Sequence, residues 1–514
     1  MVDVSAPQTD EALSDTLVKQ RAKSGVFFVG SFGAVNLLLG FVGSIVLARM
    51  LLPQDFGIVA IGTTLMMVST TLADGGLASG LIRREQSPTR GELRAALALQ
   101  LVLIGGLGLA SASVGFAIGG SGLVVATMMA ALPIAAFQMP GRVVCARALR
   151  FRALATAEAT GVFSYYLFAV SGVIAGLGVW ALALAVVVKA LVATCGVTYV
   201  SGLGTLPPTL HQARALRPVL AFGLRFQAVS LAVMGREYGL NGGIAAISGV
   251  ATLGLWSLTR RMLELPLLIF EPLHRVTFPL LSHMRAVGQD TARLLDRGVS
   301  VASTASGFVL VPAIAAAPEL VPALFGEPWR AAAPVLQWVC GALLISGPVA
   351  VMAVGFLYAV DAPSIVLRAT ILNTLVLFAI AFPLLAALGP EAIGIGAVGG
   401  AIAEACVMAR GVHARSPARP LVALGPTLAV ALLAAAGGTL VTASMPAGLA
   451  AAAAGGLAAV AAYLTALALV RRTVLTETLG IVAGAVRSGL SRESAIAQEP
   501  EPPAQEIVPA ATPS

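Results

Sequence analysis

The chain has 514 residues, of which 58% are hydrophobic and only 11% are charged, and its formal net charge is +8. Soluble domains average about 45–50% apolar and about 25% charged residues, so this composition excludes a soluble enzyme, a secreted disulfide scaffold and a nucleic-acid-binding module. It predicts an all-α, polytopic membrane protein, because a backbone exposed to lipid must satisfy its own hydrogen bonds.

Apolar runs long enough to cross a bilayer, at about 20 residues each, occur about fourteen times. The predicted spans cover residues 26–48, 56–73, 95–117, 121–139, 158–177, 180–200, 219–247, 253–280, 298–317, 334–360, 365–388, 392–410, 423–443 and 449–470. They predict two lobes of six helices and two extra C-terminal helices. The segments are a disordered N-terminus (1–24), an N-lobe (25–218), a C-lobe (219–415), the extra pair (416–472) and a disordered tail (473–514).

The distribution of cations predicts the orientation of these spans. If the N-terminus is cytoplasmic and the spans alternate, 24 of the 32 Lys and Arg residues lie in cytoplasmic segments, and only Arg49 and Arg330 lie outside. Cytoplasmic loops of membrane proteins are enriched in Lys and Arg. Both termini are therefore predicted to be cytoplasmic.

A weak internal repeat relates the two lobes. The sequence FGIV at 56–59 follows the first span, and LGLW at 253–256 follows the seventh, 197 residues later. The same offset pairs Asp74 with Glu271. Two halves of six spans each begin on the same side of the membrane, which predicts parallel repeats about an axis along the membrane normal.

Ionisable side chains inside the spans indicate a functional site, since placing one at mid-membrane costs roughly 2.5–3.5 kcal/mol. On the seventh span, Arg225 and Arg236 share one helix face. On the eighth span, one narrow stripe contains Arg260, Glu264, Glu271 and Arg275. Two interpretations stay open: the stripe lines a hydrated substrate or ion cavity, or it forms the structural i,i+4 ion pairs Arg260–Glu264 and Glu271–Arg275.

Other charged residues are candidates for ion coupling. The candidates are Asp74, Lys189, Glu237, Glu264, Glu271 and Glu404. Asp74 ends the second span, where snorkelling or helix capping competes with a functional role. Lys189 and Glu404 lie deeper in apolar surroundings, where each is interpreted as half of a buried pair or as a coupling-ion site.

Motifs for catalysis are missing from the sequence. It contains no GxxxxGK[ST], which argues against ATP hydrolysis by a phosphate-binding loop, and its four cysteines and four histidines lack metal-ligand spacing. GIGAVG at 394–399 matches a dinucleotide-binding pattern, but it lies in an apolar span, where its glycines favour close helix packing. The sequence therefore predicts a transporter rather than an enzyme, without a metal or cofactor.

Residues 43–85 resemble the opening of polysaccharide flippases, which belong to the multidrug/oligosaccharidyl-lipid/polysaccharide exporter superfamily. The matching positions are Leu47, Ala48, Arg49, Leu51, Pro53, Phe56, Gly57, Asp74, Gly76, Leu77, Ile82, Arg83 and Arg84. Segments 178–182, 253–284 and 323–338 are similar to family features as well, so the resemblance covers roughly 20–410. One departure is GLNGG at 239–243, where many relatives carry an Asp after the basic residue; this argues against ion coupling through an Asp there.

The resemblance implies an undecaprenyl-pyrophosphate-linked oligosaccharide as substrate, flipped between leaflets of the bacterial inner membrane by alternating access. Because guanidinium groups bind phosphate oxygens bidentately, the predicted substrate site comprises Arg225, Arg236, Arg260, Arg261 and Arg275. A Na⁺ or H⁺ gradient, the membrane potential or consumption of the product is expected to drive transport. The expected partners are the lipid-linked oligosaccharide, membrane lipids and polysaccharide polymerase or co-polymerase proteins, and the protein is expected to be a monomer.

Three alternatives stay open. A lipid II flippase is the nearest in role. A multidrug extruder of the same superfamily is expected to have an acidic or aromatic cavity, which the basic stripe disfavours. An O-antigen-type polymerase or ligase is expected to have a large external loop, whereas the longest predicted external segment, 318–333, has about sixteen residues.

Overall fold

The computed structural model describes residues 15–268, 270, 277–279, 281–284 and 291–480, which contain helices and no strand. The helices are α1 (Asp15–Met50), α2 (Pro53–Asp74), α3 (Leu77–Arg83), α4 (Arg90–Ile118), α5 (Ser121–Met129), α6 (Ala131–Ala136), α7 (Gln138–Arg147), α8 (Phe151–Ile174), α9 (Val179–Ser201), α10 (Arg217–Leu267), α11 (Thr291–Phe325), α12 (Ala332–Ala359), α13 (Pro363–Leu388), α14 (Glu391–His413), α15 (Pro420–Ser444) and α16 (Leu449–Val470). Two 3₁₀ turns lie at Ala213–Leu216 and Glu327–Trp329. The all-α prediction is confirmed.

The long helix α10 folds back on itself at Gly249. Gly249 has backbone angles of φ 82° and ψ 175°, a conformation that glycine adopts more easily than other residues. Glu237 and Arg260 form an ion pair, although 23 residues of straight helix would hold them about 35 Å apart. The two parts of α10 therefore run back to back and correspond to the predicted seventh and eighth spans.

The number of membrane spans agrees with the sequence prediction. Among the described residues, twelve helices are long and apolar enough to cross a membrane, and the bent pair Ser121–Ala136 and Gln138–Arg147 makes a thirteenth. Dividing α10 at Gly249 raises the number to fourteen.

The pair Ser121–Ala136 and Gln138–Arg147 is bent by 45°. Pro140 accounts for the position of this bend, because proline removes the helical hydrogen bond to the carbonyl four residues earlier, which here is that of Ala136.

Two large hydrophobic cores hold the helices together. The N-terminal core is built from α2 to α9 and includes the fully buried Leu81, Leu97 and Leu132. The C-terminal core is built from α10 to α16 and includes Phe325 and Trp329. A smaller cluster joins α1 to α8 and α9. Separate cores are consistent with the two-lobed arrangement predicted from the repeat.

Helix is present in parts of both segments that were expected to be disordered. α1 begins at Asp15, and residues 15–24 are rich in the helix formers Leu, Lys, Gln, Arg and Ala. Residues 472–480 are helical as well, because Leu475 is buried in the C-terminal core and Glu477 forms an ion pair with Arg297 at 2.7 Å. Residues 1–14 and 481–514 lie outside the described part of the chain.

The two halves of the chain meet along α2 and the first part of α10, which are antiparallel. The amide nitrogen of Asn241 donates to the hydroxyl of Thr64 at 3.0 Å, and the Thr71 hydroxyl lies 3.5 Å from the sulfur of Met234. Between these two pairs the residue number rises on α2 and falls on α10, so the helices run in opposite directions. This contact extends over several turns and connects the N-terminal half to the C-terminal half.

Reciprocal glycine contacts follow the 197-residue offset of the repeat. Gly57 lies against the backbone of Val250, and Gly254 lies against the backbone of Pro53, so closely that a Cβ atom on either glycine would overlap a carbonyl oxygen. With the offset of 197 residues, Pro53 corresponds to Val250 and Gly57 corresponds to Gly254. Each contact is therefore the symmetry equivalent of the other, as expected where two related elements meet on a two-fold axis. The pseudo-two-fold axis passes between α2 and the turn in α10.

Candidate functional site

Arg261 lies where three helices meet. Its guanidinium forms an ion pair with Glu264 at 3.0 Å and donates a hydrogen bond to the hydroxyl of Tyr166 on α8 at 2.9 Å. It also rests on Gly40 of α1, where any Cβ atom would overlap it. The Nε atom of Arg261 has no acceptor among the described residues. Arg261 thus connects the two halves of the chain, and its donors are not all engaged.

Arg260 forms an ion pair with Glu237 on the preceding span. Their side chains are 47% and 43% exposed. The ion pair Arg260–Glu264 that the spacing suggested is therefore not formed directly, because Glu264 binds Arg261 instead. Glu264 and Arg236 are only electrostatic neighbours of Arg260. The fold-back at Gly249 brings Glu237 to Arg260, and this proximity cannot be read from spacing along a single helix.

Arg236 and Glu404 extend this group of charges into the C-terminal half. The two charges are electrostatic neighbours, and Glu404 accepts a hydrogen bond from the amide nitrogen of Asn373 at 2.7 Å. Glu404 lies near the middle of α14, and Asn373 lies near the middle of α13. The two helices pack along each other. Glu404 is thus one member of a polar group between spans.

Lys189 contributes a charge from the N-terminal half. It lies near the middle of α9, and its electrostatic neighbours are Glu158, Arg142 and Arg261. Arg142 and Glu158 form an ion pair at 2.9 Å, and Arg142 also donates to the side chain of Gln138 at 3.1 Å. Lys189 itself forms no direct ion pair within the part of the chain that the structure describes. The residue as a whole is exposed, and its charge lies near both carboxylate and guanidinium groups.

These residues form a single charge cluster that reaches from one half of the chain to the other. Its members are Arg142, Glu158, Lys189, Arg236, Glu237, Arg260, Arg261, Glu264 and Glu404. Each cation lies near at least one carboxylate, and several side chains are nearly half exposed. Because lipid does not solvate charged groups, this cluster is a candidate lining for a hydrated cavity between the halves.

The other predicted site residues are placed differently. Asp74 caps the N-terminus of α3, because its carboxylate accepts from the backbone N–H groups of Gly76 at 3.1 Å and Ala78 at 3.3 Å. This is a structural contact of the kind that stabilises helix ends. The side chain of Arg225, together with Glu271 and Arg275, lies outside the described residues, so the proposed Glu271–Arg275 pair stays a prediction.

Tyr166 and Asn373 were not among the site residues predicted from the sequence, and neither were Arg142 and Glu158. A tyrosine or asparagine within an apolar span is a weak signal, because either residue can pack with one polar contact. Gly40 and Gly43 are a possible signal for Tyr166, since both glycines lie against the residues of this junction: Gly40 against Arg261 and Gly43 against the Tyr166 ring. Small residues on α1 leave room for these two long side chains.

Single substitutions of Glu237 and Arg260 are expected to leave the amount of protein in the membrane within about twofold of the parent, because an exposed ion pair contributes only about 0–1 kcal/mol. Under the substrate-cavity interpretation, transport by Arg260→Ala is nevertheless expected to fall about tenfold, which corresponds to the loss of one charge-assisted hydrogen bond to a substrate anion. Immunoblotting of membranes beside export assays measures both quantities. Restoration of transport by the double variant Arg260→Ala, Glu237→Ala would show that the pair is structural.

Comparisons with known proteins were consistent with this architecture. A family model described as "Polysaccharide biosynthesis protein" matches residues 46–334. A structure titled as lipid II flippase MurJ in an inward closed conformation superposes with a TM-score of 0.63 at 10% identity, covering 87% of this chain and 100% of that one. An inward-facing multidrug resistance MATE family transporter of the MOP superfamily gives a TM-score of 0.53 at 16% identity, covering 74% and 94%. No curated protein matches the sequence.

Proposed function

Because the chain belongs to the polysaccharide biosynthesis protein family and has the fold of MOP-superfamily transporters, we propose that it is a flippase for lipid-linked oligosaccharides. The proposed substrate is an undecaprenyl-pyrophosphate-linked oligosaccharide unit. It moves from the cytoplasmic to the periplasmic leaflet of the bacterial inner membrane, for synthesis of an exopolysaccharide, capsule or O-antigen-type polymer. Both termini are proposed to be cytoplasmic, as the cation distribution predicts.

The observation that supports this proposal is the charge cluster between the two halves. Its guanidinium groups present planar pairs of N–H donors, which match the oxygens of a phosphate. Arg236, Arg260 and Arg261 lie together on α10 in the C-terminal half, and Lys189 approaches from the N-terminal half. A pyrophosphate bound there contacts both halves at once, while the sugars occupy the hydrated cavity and the isoprenoid chain stays in lipid.

Energy coupling is proposed to use the carboxylates that face these cations. Glu237 and Glu264 bind Arg260 and Arg261 directly, so a pyrophosphate and these carboxylates compete for the same donors. A carboxylate released from its arginine is free to take up H⁺ or Na⁺. This exchange links substrate binding to an ion gradient or to the membrane potential, and Glu404 and Lys189 are further candidates for it.

A lipid II flippase is the second candidate function, because the superposition on a solved lipid II flippase covers most of this chain. That likeness, at 10% identity, concerns the fold. Each function predicts a different phenotype when the protein is removed.

Deletion of the gene from its native cell is the decisive test. If the proposal holds, surface polysaccharide disappears and lipid-linked oligosaccharide accumulates in the inner leaflet, while growth and cell shape persist. A plasmid copy of the parent sequence restores export and serves as the control. Normal polysaccharide output in a strain without a paralogue would refute the proposal, and lysis with accumulation of lipid II would favour the second candidate.

A further inference from the structure

One end of the molecule holds the two halves together through backbone carbonyl groups. Arg49, at the end of α1, donates from Nε to the carbonyl of Leu324 at 2.8 Å and from Nη2 to the carbonyl of Ala323. These carbonyls belong to the last turn of α11, where no helical N–H remains to bind them. Arg49 therefore caps a helix of the other half, and its charge is favourable at that helix terminus.

Trp329 makes the opposite connection at the same end. Its ring is fully buried, and its Nε1–H donates to the carbonyl of Ala48 at 2.9 Å. The ring also packs edge-to-face against Phe56 of α2, with centroids 4.9 Å apart. One side chain from each half thus donates to a carbonyl of the other half. Arg49 and Trp329 belong to two segments, 47–57 and 323–338, that lie far apart in the sequence.

From these contacts we propose that Arg49 and Trp329 form a latch, which closes the predicted external face of the protein and must open for substrate to leave. Ser44 lies on α1 between the latch and the charge cluster. Ala48 of the latch follows it by one helical turn. The Ser44 hydroxyl donates to the carbonyl of Gly40, one turn earlier, and Gly40 lies against Arg261. A path from the charge cluster to this face along α1 passes the latch. Trp329 and Phe325 are both buried at this end, where Phe325 packs edge-to-face against Phe41 of α1.

The chemistry of the latch suits repeated opening. Its acceptors are carbonyl groups at helix ends, which water can bind as soon as the face opens. No buried ion pair is broken, so opening leaves no uncompensated charge. The latch rests on the proposed orientation and direction of transport, but it is independent of the identity of the substrate.

A cysteine at Ser44 serves as a reporter of opening, because Ser44 is only 8% exposed. In a background without the four native cysteines, Ser44→Cys is labelled in intact cells with a membrane-impermeant maleimide, and the rate is compared between variants. Trp329→Phe keeps the aromatic ring and removes one hydrogen bond, so the rate is expected to rise about fivefold. Arg49→Gln removes the guanidinium fork and is expected to raise the rate about tenfold or more.

Arg330→Gln is the matched control. Arg330 lies beside Trp329, but its ion pairs are with Glu327 at 2.9 Å and Glu319 at 3.1 Å, both in the same half. Labelling in this variant is expected to equal that of the parent. The proposal is overturned if labelling is unchanged in Arg49→Gln and Trp329→Phe, or if Arg330→Gln accelerates it equally. Disappearance of both latch variants from the membrane would also overturn it, because the contacts would then support the fold rather than open.

Discussion

Replacement of Arg261 with alanine is expected to lower export of the polysaccharide at least about tenfold while the protein remains in the membrane. Within the charge cluster, Arg261 contacts both halves of the chain, through Glu264 on its own helix and Tyr166 on α8. A hydrogen bond to a charged group contributes about 1.5–3 kcal/mol, so loss of one or two bonds to a phosphate lowers transport by at least about tenfold. The side chain is 28% exposed, so its removal leaves Glu264 accessible to water.

The variant Arg261→Lys tests whether the fork or the charge matters. A lysine keeps the charge but loses the planar pair of donors, so transport is expected to stay well below that of the parent. Arg368→Ala, on the exposed surface of α13, is the control and is expected to transport normally. Tyr166→Phe distinguishes the alternative: if it reproduces the defect of Arg261→Ala, the role of Arg261 is to hold Tyr166 rather than to bind the substrate.

The substitution Gly254→Ala is expected to destabilise the folded protein strongly, although it adds a single methyl group. Its Cβ atom would overlap the carbonyl oxygen of Pro53, a backbone atom that cannot rotate away. Overpacking of this kind typically costs about 1–3 kcal/mol. The measurement is the melting temperature of the detergent-solubilised protein together with its abundance in the membrane.

The reciprocal contact, between Gly57 and Val250, predicts a similar effect for a second substitution. Gly57→Ala would overlap the carbonyl oxygen of Val250, so the two substitutions are expected to lower the melting temperature by similar amounts. Gly242→Ala is the matched control on the same helix, since a Cβ atom there meets nothing within 4 Å. In an exposed helix interior this change is neutral or slightly stabilising. Equal stability of all three variants would contradict the close packing at the pseudo-two-fold axis.

Several features of this protein were determined by the sequence itself. Hydropathy is a local property, so apolar runs of sufficient length predicted the fourteen spans without knowledge of their packing. The repeat at 56–59 and 253–256 was visible as a short match, and the reciprocal contacts of Gly57 and Gly254 show its structural basis. Charged residues such as Lys189 and Glu404 were also identifiable as candidates, since their cost in an apolar span depends only on their type and position.

The partners of those charges were decided by the tertiary structure alone. Spacing along one helix suggested Arg260–Glu264, but the turn at Gly249 brings Glu237 to Arg260 and leaves Glu264 to Arg261. Tyr166 is a further example, since nothing in its neighbouring sequence identifies it as the partner of a residue 95 positions away. The latch between Arg49 and Trp329 likewise joins segments about 280 residues apart. A hydrogen bond depends on distances of a few tenths of an ångström, and packing of distant helices sets those distances, whereas hydropathy needs only the local composition.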